Sequence, residues 1–282
     1  MSQMDDPAGK LKEIIHSPSY RVAYEDVDFL REPRLRPVRM QLELQKAELS
    51  LREHRIRSTI VVFGSTQIVS PPEAQKRLER ARERLSDTPG DLRRQRAVAR
   101  LERLAAKSPY YEIAREFASL VSREGQSGKD NYYVICTGGG PGIMEAANRG
   151  AYDVGAKSIG LNIRLPKEQA PNPYITPDLC FQFHYFALRK MHFLLRAKAL
   201  VVFPGGFGTC DELFDALTLR QTGRMQHIPI ILFGRKYWNS VLNFRMFADE
   251  GTIEDEDLDL FRYVDTPREA WNSILEFHQK VS

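Results

Sequence analysis

Cysteine is scarce in this chain, and what little there is does not pair. Cys136, Cys180 and Cys210 are the only three among 282 residues, far apart and without a CxxC spacing. That excludes a disulfide-stapled scaffold and argues against a zinc site, so free thiols in a reducing cytoplasm are the simplest expectation. Long apolar runs are missing too: none approaches the ~20 residues needed to cross a bilayer. The opening MSQMDDPAGK is polar and acidic, without the apolar stretch of a secretory signal. There is no internal repeat and no low-complexity tract. The net charge of +4 is too mild to imply a nucleic-acid partner by itself.

What is present is ordinary globular composition, 42% apolar and 28% charged, enough for one large α/β domain or two small ones. Short apolar runs recur at 58–63 (STIVVF), 132–137 (YYVICT), 158–163 (SIGLNI), 180–184 (CFQFH), 199–204 (ALVVFP), 228–233 (IPIILF) and 261–264 (FRYV). Most are continuous Val, Ile, Leu and Phe, as befits strands buried on both faces. Amphipathic segments at 111–124, 142–154, 186–197, 209–222, 236–249 and 267–279 lie between them. The alternation predicts an α/β fold, a Rossmann-like, doubly wound, mostly parallel sheet with helices on both faces. Residues 1–56 are charged and helical in pattern and read as an N-terminal extension. Residues 57–282 read as the main domain, interrupted by a helical insertion at about 73–108.

That insertion is basic. Between Lys76 and Lys107 stand eleven Lys and Arg against five Asp and Glu, an excess larger than that of the whole chain. Apolar positions recur at helical spacing on either side of Pro89-Gly90, which predicts a hairpin of two helices. No aromatic residues interleave with the arginines for base stacking, so a solvated surface hairpin is the simpler reading and nucleic acid is not an expected partner.

In a parallel sheet, ligands bind where strand carboxyl ends lead into helices. Glycines cluster at three such places: Gly64-Ser65-Thr66, the Gly138-Gly139-Gly140 turn of CTGGGPGIMEAANRGA, and PGGFGTCDE at 204–212. Glycine lets backbone amides converge, and amides at a helix N-terminus form an anion site. The dinucleotide fingerprint fails because Ile143 stands where its last glycine belongs, and no GKS or GKT completes a Walker motif. One glycine turn is weak information. Three on one sheet edge point to a phosphorylated ligand.

PGGFGTCDE admits two readings. Thr209-Cys210-Asp211-Glu212 fits the S/T-x-x-E capping box, in which Glu212 would fold back onto the amide of Thr209. In the alternative, amides of Gly205, Gly206, Gly208 and Thr209 hold a phosphate, and Glu212 is a general acid or base whose pKa the nearby charge raises. Just upstream, FHYFALRKMHFL places Arg189 and Lys190 at the start of a helix on the same edge. A surface position is the plain reading. A guanidinium there would act electrostatically, gripping phosphate or ribose or holding Glu212.

TGGGPGIMEAANRGA, the LRK of 188–190 and PGGFGTCDE, in that order, resemble the LOG ("lonely guy") family, Rossmann-like proteins often mislabelled as lysine decarboxylases. The family's PGGxGTxxE motif is met in full by Pro204, Gly205, Gly206, Gly208, Thr209 and Glu212. Arg189-Lys190-Met191 departs in detail from its RKxxM-like element. The resemblance covers roughly residues 57–282 and leaves out the N-terminal arm and the basic hairpin.

The resemblance implies a phosphoribohydrolase that cleaves the N-glycosidic bond of a nucleoside 5′-monophosphate, such as AMP or a cytokinin riboside monophosphate, to free base and ribose 5-phosphate. It implies Arg189 and Glu212 as the catalytic pair. Gly64, Ser65, Gly138, Gly139, Gly140, Glu168, Lys190, Gly205, Gly206, Gly208, Thr209 and Thr218 become substrate contacts. A homodimer, no cofactor, no metal and no membrane partner are expected. Pyridoxal phosphate chemistry is set aside, since neither Lys190 nor Lys198 sits in a recognisable Schiff-base setting. The rival reading is a nucleotide-binding or sensing module that uses the same phosphate cup without hydrolysis.

Overall fold

A computed structural model describes residues 6–165 and 170–281. The chain divides into two compact units, Met1–Glu48 and Leu49–Ser282. The first is helical, with α1 (Pro7–His16), α2 (Val27–Arg31) and most of α3 (Arg36–Glu53), which runs through the boundary. Asp26 caps α2 by accepting from the Phe29 amide. The Arg39 guanidinium then closes the turn after α2 by donating to the carbonyls of Leu30 and Glu32, both at 2.7 Å.

The second unit follows the strand–helix alternation of the sequence. It begins with β1 (Thr59–Phe63), then α4 (Pro71–Ser86), α5 (Leu92–Ala105), α6 (Pro109–Gly125) and β2 (Val134–Thr137). Next come α7 (Ile143–Tyr152), β3 (Ser158–Ile163), β4 (Cys180–Phe183), α8 (Phe186–Leu195) and β5 (Ala197–Val202). The chain continues through α9 (Phe207–Gln221), β6 (Ile230–Phe233), α10 (Arg235–Val241), α11 (Phe244–Asp249), β7 (Phe261–Val264) and α12 (Pro267–Val281). All seven apolar runs are strands. The stretch 236–249, read as one amphipathic segment, is two helices, because Leu242 is extended and Asn243 caps α11 by accepting from Met246 N.

The strands form a single parallel sheet of order β4-β3-β2-β1-β5-β6-β7. The central strands β1, β2 and β6 are buried at every residue, whereas the edge strands β4 and β7 alternate with exposure. Their composition follows: continuous apolar runs inside, and Gln182 and Arg262 at the edges. One face is sealed by α6, α7 and α12, whose Phe117, Ala146, Trp271 and Ile274 are fully buried against Ile60, Ile135, Val201 and Phe233. Phe203 stacks on Phe233 with centroids 4.3 Å apart.

From β1 the chain builds outward to β4, then returns to the other side of β1 with β5. The strand order therefore reverses between β1 and β5, and the loops after these two strands diverge to opposite faces and leave a crevice. Two backbone bonds join the strands at the mouth of that crevice. Phe203 N donates to Phe63 O at 2.9 Å, and Ser65 N donates to Pro204 O at 3.0 Å.

Candidate active site

The crevice is a cavity of about 450 Å³. Its walls come from the ends of four strands: Gly64, Ser65 and Gln67 after β1, Gly138 and Gly140 after β2, Asn162 at the end of β3, and Gly206, Gly208 and Thr209 after β5. Helix α8 contributes Phe186, Arg189 and Phe193, and Glu212 projects from the first turns of α9.

Helix α9 begins at Phe207 with Gly206 as its N-cap, and no side chain caps it. Thr209 is therefore already helical, and the capping box expected at Thr209–Glu212 does not form. The Glu212 carboxylate turns to Arg189 instead, with Arg189 Nη2 at 3.4 Å from Oε1. The box fails for a simple reason: it needs a non-helical threonine, and the glycine pair starts the helix before Thr209 is reached.

The glycines divide by what surrounds them. A Cβ on Gly205 would run into the Thr209 side chain, and on Gly64 into Ile143. Gly139 has φ +71° and a Cβ there would strike Asn162. These three are required by the chain's own packing. Gly206 and Gly208 are different, since a Cβ on either would meet nothing within 4 Å. Gly208 even lies inside a helix, where glycine costs about 1 kcal/mol relative to alanine. Nothing in the protein requires their bareness. The amides they expose lie at the N-terminus of a helix of 15 residues, where the macrodipole favours an anion.

Both members of the Arg189–Glu212 pair are largely buried, with side chains 15% and 7% exposed. Burial pushes Glu212 above the ordinary carboxylate range. Lys190 and Arg189 oppose that rise, and Asp211 and Asp215 add to it. Burial likewise pulls Arg189 down against the pull of Glu212, although a guanidinium stays protonated at neutral pH. The Arg189 guanidinium lies between the rings of Phe186 and Phe193, 5.4 and 5.5 Å from their centroids, and its Nε has no hydrogen-bond partner. The aromatic contacts fix its position while leaving donor capacity unused. A charge-assisted contact to an incoming anion is open to it.

The chain matches the family model described as "Possible lysine decarboxylase" over residues 144–274. It is 27% identical over 184 residues to the cytokinin riboside 5′-monophosphate phosphoribohydrolase LOG3 of Arabidopsis thaliana, covering 62% of this chain and 80% of that one. The same identity over 189 residues relates it to the probable cytokinin riboside 5′-monophosphate phosphoribohydrolase LOGL3 of Oryza sativa subsp. japonica, over 62% and 82% of the two chains. With the pyrimidine/purine nucleotide 5′-monophosphate nucleosidase of Escherichia coli it shares 33% over 118 residues, 36% of this chain and 24% of that larger one. The chain is a relative of the LOG family.

The decarboxylase description does not suit this LOG relative. Among the described residues no lysine lines the cavity. Lys190 stands outside its wall, and burial works against its charge, but Asp211 at 2.9 Å, the nearby Glu212 and Asp215 at 3.9 Å together more than restore it. Among the described residues, no three of His, Cys, Asp and Glu gather to hold a metal ion.

Of the other residues anticipated at the site, Gly139 and Gly205 stand behind the cavity wall rather than in it. The Gly139 amide is taken by Thr137 Oγ1 at 3.0 Å, and its carbonyl accepts from Asn172 N at 2.9 Å. Thr218 is two turns further along α9, exposed, with its hydroxyl on Phe214 O. Glu168 lies outside the described residues. Sequence reasoning missed Gln67, Met144 and Asn162, all in the cavity wall. Asn162 carried a usable signal, a polar residue near the carboxyl end of an otherwise apolar run. Met144 and Gln67 carried none.

Proposed function

We propose that this chain hydrolyses the N-glycosidic bond of a nucleoside 5′-monophosphate, releasing free base and ribose 5-phosphate. The observation that carries the reading is the buried Arg189–Glu212 pair, set in the wall of the cavity beside the bare amides of Gly206 and Gly208. The names borne by the related plant and bacterial proteins, all acting on nucleotide or nucleoside monophosphates, support the same chemistry.

In this reading the phosphate sits at the N-terminus of α9, and its binding energy orients the ribose. Gln67, Asn162 and Ser65 offer hydrogen bonds to the sugar or base, and Phe186, Met144 and Leu165 give the base an apolar wall. As the bond from C1′ to the base nitrogen breaks, positive charge develops on the ring. Glu212 accepts a proton from the attacking water, whose oxygen bonds to C1′, and its charge stabilises the ring cation. The departing base takes up a proton from solvent water and Glu212 returns the one it accepted to solvent, so one water is consumed overall. A carboxylate held above its ordinary pKa is a stronger base for that purpose. Arg189 keeps Glu212 aimed and meets the phosphate electrostatically.

The activity is assigned to residues 57–282. The setting is taken to be the cytoplasm, and the working form a homodimer. Exposed Phe186, Met191 and Leu195 on α8 and Phe207 at the start of α9 supply apolar surface for a second copy. Sedimentation of the purified chain tests the assembly. The chemistry is tested by chromatography of reactions with AMP, GMP, CMP, UMP and N6-prenylated AMP. Base should appear from at least one, and should vanish in folded Glu212→Gln and Arg189→Ala proteins. Nucleotide binding without release from any of the five leaves a non-catalytic binding module as the better account.

A further inference from the structure

The basic hairpin does not simply stand in solvent. Arg100 and Arg103 of α5, with Lys107 in the turn that follows it, lie along one side of a second cavity, of about 340 Å³, whose opposite side is Pro204-Gly205-Gly206. These cations are three and four residues apart, so they share one face of the helix and its C-terminal turn. No carboxylate lines the cavity. The hairpin's ion pairs are made elsewhere: Arg77 with Glu73, Arg94 with Asp91, and Arg82 with Glu102, the only acid within α5. Among the described residues, Arg100 and Arg103 have no acidic partner, and Lys107 Nζ donates only to the Arg103 carbonyl at 3.0 Å. Three cations, two of them exposed, thus border an open cleft with no carboxylate among its described lining residues.

The position of this cavity says what it would take. Ser65, Gln67 and Gly206 line it and also line the catalytic cavity, so the two spaces are separated by little more than one loop and one glycine. A phosphate at the start of α9 would lie at that partition, and any further phosphate bonded to it would emerge toward α5. We propose that Arg100, Arg103 and Lys107 form a subsite for the outer phosphates of a nucleoside di- or triphosphate whose nucleoside and first phosphate occupy the catalytic cavity. This rests on the assignment of that cavity to a nucleoside monophosphate. The consequence is regulatory: longer nucleotides occupy both spaces and exclude the monophosphate. Arginine forks suit phosphate oxygens, and each lost charge-assisted contact weakens binding by roughly ten- to a hundredfold.

The test is calorimetric binding of AMP, ADP, ATP and a 5′-phosphorylated single-stranded oligonucleotide to the full chain carrying Glu212→Gln, with and without Arg100→Ala/Arg103→Ala. Inhibition of AMP hydrolysis by ATP is measured in parallel on the chain with Glu212 intact. Expected are tighter binding of ADP and ATP than of AMP, and a loss of about tenfold or more for ATP alone in the double variant. AMP hydrolysis should be unchanged by Arg100→Ala/Arg103→Ala, and its inhibition by ATP relieved. Equal affinity for AMP and ATP, or equal weakening of both in the variant, overturns the subsite. So does an oligonucleotide that binds through the two arginines more tightly than ATP, which would make the hairpin a nucleic-acid surface. If no monophosphate is hydrolysed yet ATP binding still depends on Arg100 and Arg103, the hydrolase reading fails and the subsite stands.

Discussion

Tyr237, in α10, donates its hydroxyl to the carbonyl of Gly205 at 2.6 Å. The loop after β5 is thereby tied down from the helix after β6, where both residues line the second cavity. Replacing Tyr237 by Phe removes that donor and leaves the Gly205 carbonyl without it. The expected cost is roughly 0.5–1.5 kcal/mol of stability, together with a rise in KM for the monophosphate larger than any fall in kcat. Denaturant melts and steady-state kinetics on the same preparations measure both.

The glycines of that loop make a sharper comparison. Gly205→Ala drives a methyl group into Thr209, so it should lower stability and activity together. Gly208→Ala meets no protein atom and replaces glycine in a helix, so stability should hold or rise by about 0.5–1 kcal/mol. Its methyl group would nevertheless occupy the space assigned to the phosphate. Thermal unfolding unaltered or improved, with base release sharply reduced, is the expected pattern. Activity at the level of the unmodified chain would place the phosphate elsewhere.

The pH dependence follows from the position of Glu212. Its carboxyl titrates above the ordinary range, so the rise of kcat/KM on the acid side should be centred above the usual glutamate value of about 4.3. Lys190 is the strongest influence holding it down. Lys190→Met removes a positive charge, disfavours the carboxylate further and moves that limb to higher pH. Stability should show the matching sign. A carboxyl whose folded pKa is raised binds protons more readily folded than unfolded, so its contribution is lost as pH rises through the folded value. Between these limits the chain with Glu212 should lose stability with rising pH relative to Glu212→Gln.

The turn after β2 is held by Asn172. Its side-chain amide donates to the carbonyls of Gly139 and Gly140 at 3.2 and 3.1 Å and to Asn148 Oδ1 at 2.9 Å. Asn172→Ala leaves buried acceptors short of donors and should cost about 1–3 kcal/mol. It should also loosen the Gly138–Gly140 wall and weaken nucleotide binding. A stability loss below a few tenths of a kcal/mol would mean that the turn holds itself.

Much of this was legible in the residues. Short apolar runs located all seven strands, continuous in the central ones because a strand covered on both faces leaves little other composition available, and interrupted by Gln182 and Arg262 at the edges. Glycine clusters marked the sheet edge where the cavity opens, and the motif resemblance singled out Arg189 and Glu212, which the fold brings to 3.4 Å. Local rules failed where two of them competed. Thr209–Glu212 satisfies a capping pattern, but Gly206 ends the loop earlier and α9 starts before the threonine can cap it. The hairpin shows the other limit. Its charge excess was plain, yet nothing in its periodicity told that Arg100 and Arg103 face the loop after β5. Such placement depends on how a loop packs against residues a hundred positions away, information that no local pattern carries.

The sheet order has one more consequence, for synthesis rather than catalysis. Thr59 and its neighbours in β1 pair on one side with β2 and on the other with β5, from Ala197 onward. The side of this most central strand that will face β5 is therefore an open edge until Ala197 has been made, 134 residues after Phe63. Its unpaired amides and the apolar side chains of Ile60 to Phe63 are available to another nascent chain during that interval. The crevice between β1 and β5 cannot exist until the gap is filled, so ligand binding is a property acquired late in folding, after a slow long-range pairing.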